Sequence, residues 1–402
     1  MKGKGFIGIA VVAATLAAAF GAEAGEKSIK IGVLTDLSSF ASTSMGEGSV
    51  VATRIAAKDF GGTVLGKPIE VISADMQSKP DLAVQLAQQW YDVEGVDVIV
   101  DVPASAAAIT IQKMAFDKHK LFIATVAATT ELTGKSCSPT GVHWGIDTAG
   151  QSRALVNAMA QDGVKNWFFI MPDFAVGKSL AAVGQAMVEK GGGKVVDIVF
   201  HPTNSTDYAQ YLLRAQQSGA EAIAVGSIGL DLTTLIKQAN EFGILPSSKQ
   251  KLAAFLMQLS DIGGVGLETT QGVYIVEDFY WDQNDLTRAF GKQFIAIHHK
   301  MPNDTQAANY SGIMAYLTAM KEAGSDDPVK VVAKMREHPM TRFGKPAVLR
   351  EDGRVIDDVG LYQVKTPAES KEPWDYLKLV HTIPGDQAFL SLAESACPLV
   401  KK

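Results

Sequence analysis

The sequence predicts an α/β protein with two Rossmann-like lobes, each built on a parallel sheet covered by helices. Two observations lead to this fold class. Short apolar runs rich in Val and Ile alternate with segments of helical spacing, and strict alternation implies parallel strands with right-handed crossovers. The chain of 402 residues is also longer than one hydrophobic core usually supports, and its 47% hydrophobic residues suffice for two cores.

Nine short runs rich in Val and Ile are strand candidates, and several of them are apolar at nearly every position, as strands covered on both faces require. They are residues 29–34, 69–74, 96–100, 121–126, 167–171, 195–200, 222–226, 252–257 and 273–276. The segments between them show helical spacing. Leu82, Leu86 and Trp90 recur every fourth residue, which predicts an amphipathic helix.

After Asp278 the pattern changes to long helical stretches, predicted at residues 286–299, 307–322 and 329–337. From Arg342 onward the sequence indicates irregular structure, with strand-like pieces only at 361–364 and 377–381. We therefore expect two discontinuous lobes, in which the chain after about Tyr280 returns to the first lobe.

The N-terminus has the pattern of a secretory signal peptide over residues 1–24. Lys2 and Lys4 precede an apolar run at 6–20, and a small-x-small cleavage site follows at 22–24. The alternative is an N-terminal membrane anchor, but no second apolar segment of spanning length follows. No Cys follows the cleavage site to carry a lipid anchor, so we expect a soluble mature protein in the periplasm of a Gram-negative bacterium.

The charge pattern excludes several classes of partner. The net charge is −6, and Lys and Arg are scattered, so there is no electrostatic footprint for nucleic acid or anionic lipid. No Ser/His/Asp set, carboxylate pair or metal cluster has suitable spacing, which favours binding over turnover. We expect no enzyme activity, cofactor or metal, and a monomer. His298 and His299 are adjacent on a predicted helix and are interpreted as solvent-facing.

The two cysteines, Cys137 and Cys397, are expected to pair, because an exported protein folds in an oxidising compartment. The alternative is two buried free thiols.

Several motifs resemble one family in order and spacing. The run 29–38 (IKIGVLTDLS) is similar to the opening strand and loop of the type I solute-binding proteins of ABC importers, in the branched-chain amino-acid (Leu/Ile/Val) binding family. The similarity continues over nearly the whole mature chain through 61–62, 65–70, 75–80, 97–100, 173–177, 206–208 and 236–243. The run 131–139, followed by His143 and Trp144, resembles a branch associated with aromatic and other organic acids.

This resemblance implies two lobes joined by a three-segment hinge, with crossings near 145–149, 277–280 and 355–360. The implied boundaries are 25–147 plus 279–357 for lobe 1, and 148–278 plus 358–402 for lobe 2. In open parallel sheets, ligands lie at the carboxyl ends of strands. The corresponding loops are 38–46, 103–106, 127–130, 172–176, 227–231 and 257–261.

The resemblance also implies particular ligand contacts. Ser105 is expected to grip a ligand carboxylate at a helix start, although an ordinary helix-capping role uses the same amides. Neighbouring loops supply further candidate contacts at Phe40, Met45, Ala128, Thr129 and Met257. Phe174 and Tyr310 are candidate aromatic walls of the cleft, with core packing as the alternative.

One departure from the family pattern bears on the ligand. Amino-acid-binding members use an acidic residue of the second lobe to hold the ligand ammonium, but residues 255–259 contain none. An ammonium buried without a countercharge is costly. An aromatic or apolar organic acid is therefore expected, captured by lobe closure and delivered to a membrane permease. Asp261 and Glu277 keep branched-chain amino-acid binding open, and a ligand-sensing module for signalling is a further alternative.

Overall fold

The structure, a computed structural model, describes residues 1, 28–39, 42–246, 249–337 and 339–401. The expected signal peptide, apart from Met1, and Phe40 lie outside the described residues. No described helix is both long and apolar enough to cross a bilayer.

Sixteen strands are found in the described ranges. They are β1 Ile29–Thr35, β2 Thr63–Val64, β3 Lys67–Asp75, β4 Val98–Asp101, β5 Leu121–Ala124, β6 Gly141–His143, β7 Asn166–Pro172, β8 Lys194–His201, β9 Ala222–Val225, β10 Lys251–Ala254, β11 Tyr274–Glu277, β12 Met340–Arg342, β13 Lys345–Leu349, β14 Val355–Ile356, β15 Val359–Val364 and β16 Leu377–Ile383.

Thirteen α-helices are found in the same ranges, with a π turn at Trp90–Glu94 and a 3₁₀ turn at Thr130–Thr133. They are α1 Gly46–Asp59, α2 Pro80–Gln89, α3 Ser105–Asp117, α4 Thr148–Gln161, α5 Ala175–Lys190, α6 Ala209–Gln217, α7 Gly229–Glu241, α8 Leu259–Val265, α9 Leu267–Thr270, α10 Asp285–His298, α11 Asp304–Ala323, α12 Pro328–Glu337 and α13 Gly385–Ala388.

The first sheet has the order β2-β3-β1-β4-β5-β6 and is parallel except for β2. Alternate residues of each central strand face opposite helical layers, as the pleat requires. Val98 and Val100 pack with helices α1, α11 and α12, whereas Ile99 packs with α2 and α3. Helices α11 and α12, which follow β11 in the chain, therefore cover one face of the first sheet together with α1.

The second sheet has the order β16-β15-β11-β10-β9-β7-β8, with a parallel core and two antiparallel strands at one edge. Phe168 and Ile170 face the side covered by α6 to α9, and Trp167 and Phe169 face α4 and α5. The two-sheet α/β fold class is confirmed. All nine strand candidates contain an observed strand, whereas the pattern missed β2, β6 and the three-stranded sheet β12-β13-β14.

Three segments enter or leave the part of the chain that forms the second sheet: residues 144–147 after β6, 278–284 between β11 and α10, and 357–358 between β14 and β15. A buried aspartate lies in each of these crossings. Arg342 donates two hydrogen bonds to Asp278, at 2.7 and 2.8 Å, and its Nη1 lies 3.4 Å from Asp357. Arg354 lies 3.6 Å from Asp147 and also donates to a backbone carbonyl at this crossing. All five side chains are at most 5% exposed. We call them the hinge ion cluster.

The predicted disulfide is present. Cys137 and Cys397 are bonded, with their Cα atoms 5.6 Å apart and a sequence separation of 260. The bond fixes the C-terminal tail to the loop that follows the 3₁₀ turn. Ser395, in the same tail, donates a 3.0 Å hydrogen bond to the carbonyl of Thr133.

Removing one member of the hinge ion cluster is expected to be strongly destabilising. Asp278→Asn leaves Arg342 buried with a weakened partner, and breaking a buried ion pair costs about 3–5 kcal/mol. Urea denaturation measures this loss. The control is Asp117→Asn, which breaks the exposed pair with Lys113 and is expected to cost at most about 1 kcal/mol. Equal losses in the two variants would contradict the assignment.

Candidate ligand-binding cleft

The carboxyl ends of the first sheet's central strands lie in register. Leu34 of β1 pairs with Asp101 of β4, which pairs with Ala124 of β5, which in turn pairs with His143 of β6. From β1 the chain adds β3 on one side and β4 on the other, so the switch point lies between β1 and β4. Ligands in open α/β sheets bind at such a point.

Backbone strain marks the same edge. Asp101 and Val102, at the end of β4, both have positive φ, at 79° and 60°, in a region that residues with side chains rarely adopt. The amide of Val102 is held by the carbonyl of Leu34 at 2.9 Å. Strained, non-glycine backbone of this kind clusters at functional sites. Here it directs the chain into the loop that ends at Ser105.

Ser105 is the first residue of α3, and it is partly exposed. The residue before it, Ala104, has no side chain that could cap the helix. The first amides of α3 therefore remain available to an anion. The structure thus places Ser105 at a helix start beside the carboxyl ends of the first sheet's strands, as the sequence predicts. Its contact with a ligand stays a prediction.

Ala128 and Thr129 follow β5, which pairs with β4, the strand that precedes Ser105. The carbonyl of Ala128 accepts a 2.9 Å hydrogen bond from the amide of Thr148, so this loop is tied to the first crossing. The hydroxyl of Thr129 accepts a hydrogen bond from the amide of Glu131 at 3.2 Å and caps the 3₁₀ turn. Both residues are partly exposed at the same edge.

Met45 precedes α1 in the loop after β1 and is partly buried. The next residue, Gly46, has φ +50°, and a Cβ there would lie 3.0 Å from the carbonyl oxygen of Asp36. Its amide donates to the hydroxyl of Thr35. Glycine thus permits the tight turn that places Met45 beside the cleft edge.

On the second sheet, Phe174 and Met257 have different surroundings. Phe174 directly precedes α5 and is partly exposed at the carboxyl end of β7. Met257 is 2% exposed and packs in the apolar core with Leu259 and Ile262. Phe174 is therefore accessible to a ligand in this structure, whereas the contacts of Met257 are those of a core residue.

Tyr310 lies away from these loops, within α11. Its ring stacks on Phe343 at 5.4 Å and contacts Phe290 at 4.5 Å, and its hydroxyl donates to Asp59. The three aromatic residues line a separate cavity of about 390 Å³ between α10, α11 and β12. The contacts favour the packing role that the sequence left open over a wall of the ligand site.

A cavity of about 680 Å³ lies between the two lobes. Three of the six expected loops line it, through Thr43 from the first lobe and Leu230 and Asp261 from the second. Further apolar lining comes from Val265 and Met301. The structure therefore brings loops of both lobes together around one cavity. Ser105, Ala128, Thr129 and Phe174 are not among its lining residues.

Trp374 also lines this cavity and was missed by the sequence patterns. It belongs to the loop between β15 and β16, far along the chain from every expected loop. Its φ is +71°, its carbonyl accepts hydrogen bonds from Trp281 and Tyr280, and its ring lies against Gly263 of α8. The positive φ is a strained conformation, but strain of this kind leaves no signal in sequence.

Gln258 joins the two lobes beside the cavity. Its side-chain amide donates to Asp304 at 2.9 Å and to Thr305 at 3.2 Å, at the start of α11. Its carbonyl oxygen accepts from Asn303 at 3.3 Å, and Asn303 also donates to the carbonyl of Ser44 at 2.7 Å. The residue next to Met257, rather than Met257 itself, thus makes the polar contact across the cleft.

Three carboxyl groups below this contact have raised pKa values. Burial, aided by the charge of Asp278, raises the pKa of Asp304 to about 7. Burial also raises the pKa of Asp261 to about 6, although that carboxylate accepts from the amide of Gln258. The pKa of Glu277 lies well above its usual value because of burial and the nearby Asp304. Neither oxygen of Glu277 has a partner among the described residues.

The residues that the structure describes contain no cluster of three or more His, Cys, Asp or Glu able to hold a metal ion.

Residues 28–371 match the family model described as "Periplasmic binding protein". The match covers more than half of the chain. The chain belongs to the periplasmic binding protein family. This agrees with the family resemblance of its motifs and with the two-sheet fold.

Three solved structures extend the comparison. A periplasmic binding protein from Burkholderia mallei is 41% identical, with a TM-score of 0.85, over 93% of this chain and 99% of that one. A branched chain amino acid ABC transporter periplasmic ligand-binding protein from Burkholderia xenovorans is 39% identical, with a TM-score of 0.88, over 92% and 99%. A solute-binding protein of an ABC transporter from R. palustris, in complex with benzoate, shares the fold at 19% identity, with a TM-score of 0.79, over 93% and 100%.

A curated relative, the Leu/Ile/Val-binding protein homolog 6 of Brucella suis, is 26% identical over 219 residues. This alignment covers 54% of the present chain, and the chain spans about half, 55%, of that relative's length.

The carboxyl group of Asp304 should make stability depend on pH. Its pKa is about 7 in the folded state and about 3.9 in the unfolded state, so the folded protein keeps this group protonated to a higher pH. Its contribution is therefore fully present below about pH 4 and is lost as the pH rises to about 7. Asp304→Asn removes this dependence and keeps an acceptor for Gln258. The free energy of unfolding of the variant, relative to that of the wild type, should therefore rise by roughly 1–3 kcal/mol from pH 5 to pH 8.

Urea denaturation at both pH values tests this, with Asp81→Asn, an exposed carboxylate of α2, as the control. If the difference in free energy of unfolding between Asp304→Asn and the wild type is the same at pH 5 and pH 8, Asp304 is ionised throughout this range and the prediction is wrong.

Proposed function

We propose that this protein is the periplasmic solute receptor of an ABC importer and that its ligand is a small carboxylate with an aromatic or apolar body. Lobe closure captures the ligand, and the receptor delivers it to a permease in the inner membrane. The observation that carries the proposal is the cavity between the lobes, which combines an aromatic and apolar lining with loops from both sheets.

The apolar lining supports the body of the ligand. Leu230, Val265, Met301 and Trp374 surround the cavity, and Leu230 is 79% exposed. Covering such surface with an apolar ligand gains about 25 cal/mol for each Å² removed from water. Stacking on the ring of Trp374 would add roughly 0.5–1.5 kcal/mol for an aromatic ligand.

The helix start at Ser105 supports the acid group. A carboxylate held there would accept hydrogen bonds from backbone amides and a hydroxyl, and charged acceptors make the stronger hydrogen bonds. Closure of the lobes would carry the second-lobe cavity wall toward this edge.

A branched-chain amino acid is the second candidate. The Burkholderia xenovorans relative carries that name, and one observation favours it: the buried carboxyl group of Glu277 has no partner among the residues described, so it could receive a ligand ammonium. Against this, the raised pKa of Glu277 favours its neutral form, which attracts an ammonium weakly. The benzoate complex of the R. palustris protein shows that this fold accommodates an aromatic acid. A signalling role would use the same cleft.

We also propose how the chain is divided into lobes and that it is exported. We infer lobe 1 from residues 25–147 and 279–357, lobe 2 from 148–278 and 358–402, and a signal peptide at 1–24. The bond between Cys137 and Cys397 supports export, because disulfides persist in oxidising compartments. We propose a monomeric receptor that needs neither cofactor nor metal and has no catalytic activity.

Ser105→Ala should weaken binding of benzoate by about 1–3 kcal/mol, the cost of leaving a buried charged partner short of a hydrogen bond. Isothermal titration calorimetry measures this, and the wild type should bind benzoate more tightly than leucine. Thr110→Ala serves as the control, because Thr110 is exposed on the same helix and bonds only to the carbonyl of Ala106.

Two results would contradict parts of this assignment. Tight leucine binding without a response to benzoate-like acids would overturn the acid ligand and leave the receptor in place. Unchanged benzoate affinity in Ser105→Ala would show that the carboxylate binds elsewhere.

A further inference from the structure

Four cationic or titratable side chains border the cavity between the lobes. Lys237 lies on α7 of the second lobe, and His298, His299 and Lys300 lie at the end of α10 on the first lobe. The sequence pattern indicated only that the two histidines face solvent. The structure leaves His299 exposed and His298 partly exposed, and places both at an opening that the two lobes share.

The end of α10 explains this placement. His299 is the residue that terminates the helix, and it adopts a left-handed conformation with φ 61°. The chain therefore turns sharply there, and three consecutive residues that would point in different directions along a helix all line the same cavity.

These four side chains are not neutralised by neighbours. None of them makes a hydrogen bond or ion pair within the described ranges, although the ring of His298 contacts Phe294. Asp261 lines the same cavity and the charge of Glu47 acts on His298, but both acids, like Asp231, also have other partners. Asp261 accepts from the amide of Gln258, Glu47 lies 3.7 Å from Arg54, and Asp231 accepts from the amide of Asn204.

We propose that Lys237 and Lys300, with His298 and His299 beside them, form a cationic mouth that attracts anionic ligands into the cavity from both lobes, its charge carried by the two lysines. The ligand class is a small organic anion, so the biological meaning of the mouth rests on the proposed function. A cleft lined by one sign of charge raises the local concentration of the opposite ion and speeds its association. Such a device matters here because the protein as a whole carries a net charge of −6 and repels anions.

Trp374 provides a reporter inside the mouth. It lines the cavity and is partly exposed, whereas the other four tryptophans, Trp90, Trp144, Trp167 and Trp281, are buried at 7% exposure or less. Collisional quenchers of tryptophan fluorescence therefore act mainly on Trp374. Iodide reports local attraction of anions, caesium reports attraction of cations, and acrylamide reports access without charge.

At low ionic strength, iodide should quench the tryptophan fluorescence of the wild type more strongly than caesium does. The negative net charge alone would give the opposite order, because it attracts caesium and repels iodide. In the double variant Lys237→Met/Lys300→Met, quenching by iodide should fall about two- to fivefold while acrylamide quenching stays unchanged. Lys292→Met removes an exposed lysine of α10 that does not line the cavity and should leave all three values unchanged. Adding 0.5 M neutral salt should abolish the preference, because exposed charges are screened.

The proposal is overturned if caesium quenches the wild type as strongly as iodide, or if the double variant keeps the iodide preference. Stopped-flow binding of benzoate separates the mouth from the proposed function. An association rate constant lowered roughly two- to tenfold in the double variant, with little change in dissociation, supports the mouth. Benzoate binding at an unchanged rate overturns the mouth and leaves the receptor standing. Absence of binding by any organic acid, with the iodide preference intact, overturns the acid ligand and leaves the mouth standing.

Discussion

The rest of the structure depends on the hinge ion cluster. Each of the three crossings carries one buried aspartate, and two arginines contact all three: Arg342 in β12 and Arg354 directly before β14. Arg354 also lies in a parallel bridge with His143, the last residue of the first sheet. Charges buried in this way are costly unless each has its partner, so the cluster selects one arrangement of the crossings more than it adds stability.

That arrangement determines where the ligand cleft lies. With the crossings held together, the carboxyl ends of both parallel sheets border one space. The loops after β1, β9 and β10 reach the same cavity, and Gln258 contacts the start of α11 across it. Burial and mutual repulsion raise the pKa values of Asp304 and Glu277 beside this contact, which limits the number of negative charges in one buried volume. The cavity can then present an apolar interior behind a cationic opening.

Sequence patterns predicted the fold well because strand and helix periodicities are local. Runs such as 121–126 and 167–171 are apolar on both faces only because helices cover both sides of the sheet. Helix starts after strands, such as Ser105, were predictable for the same reason. Trp374 and Gln258 were not, because their place in the cleft arises from a strained loop and from a contact between lobes. For Tyr310 the sequence left a cleft wall and core packing open, and its contacts with Phe290 and Phe343 favour packing.

The most direct test of the account is a crystal structure of the protein with a saturating aromatic acid such as benzoate. The account predicts one ligand between the lobes, with its carboxylate within hydrogen-bonding distance of the first amides of α3 and its ring covered by residues of the second lobe. A ligand bound outside the space between the sheets, or an unoccupied cleft at saturating concentration, would contradict it.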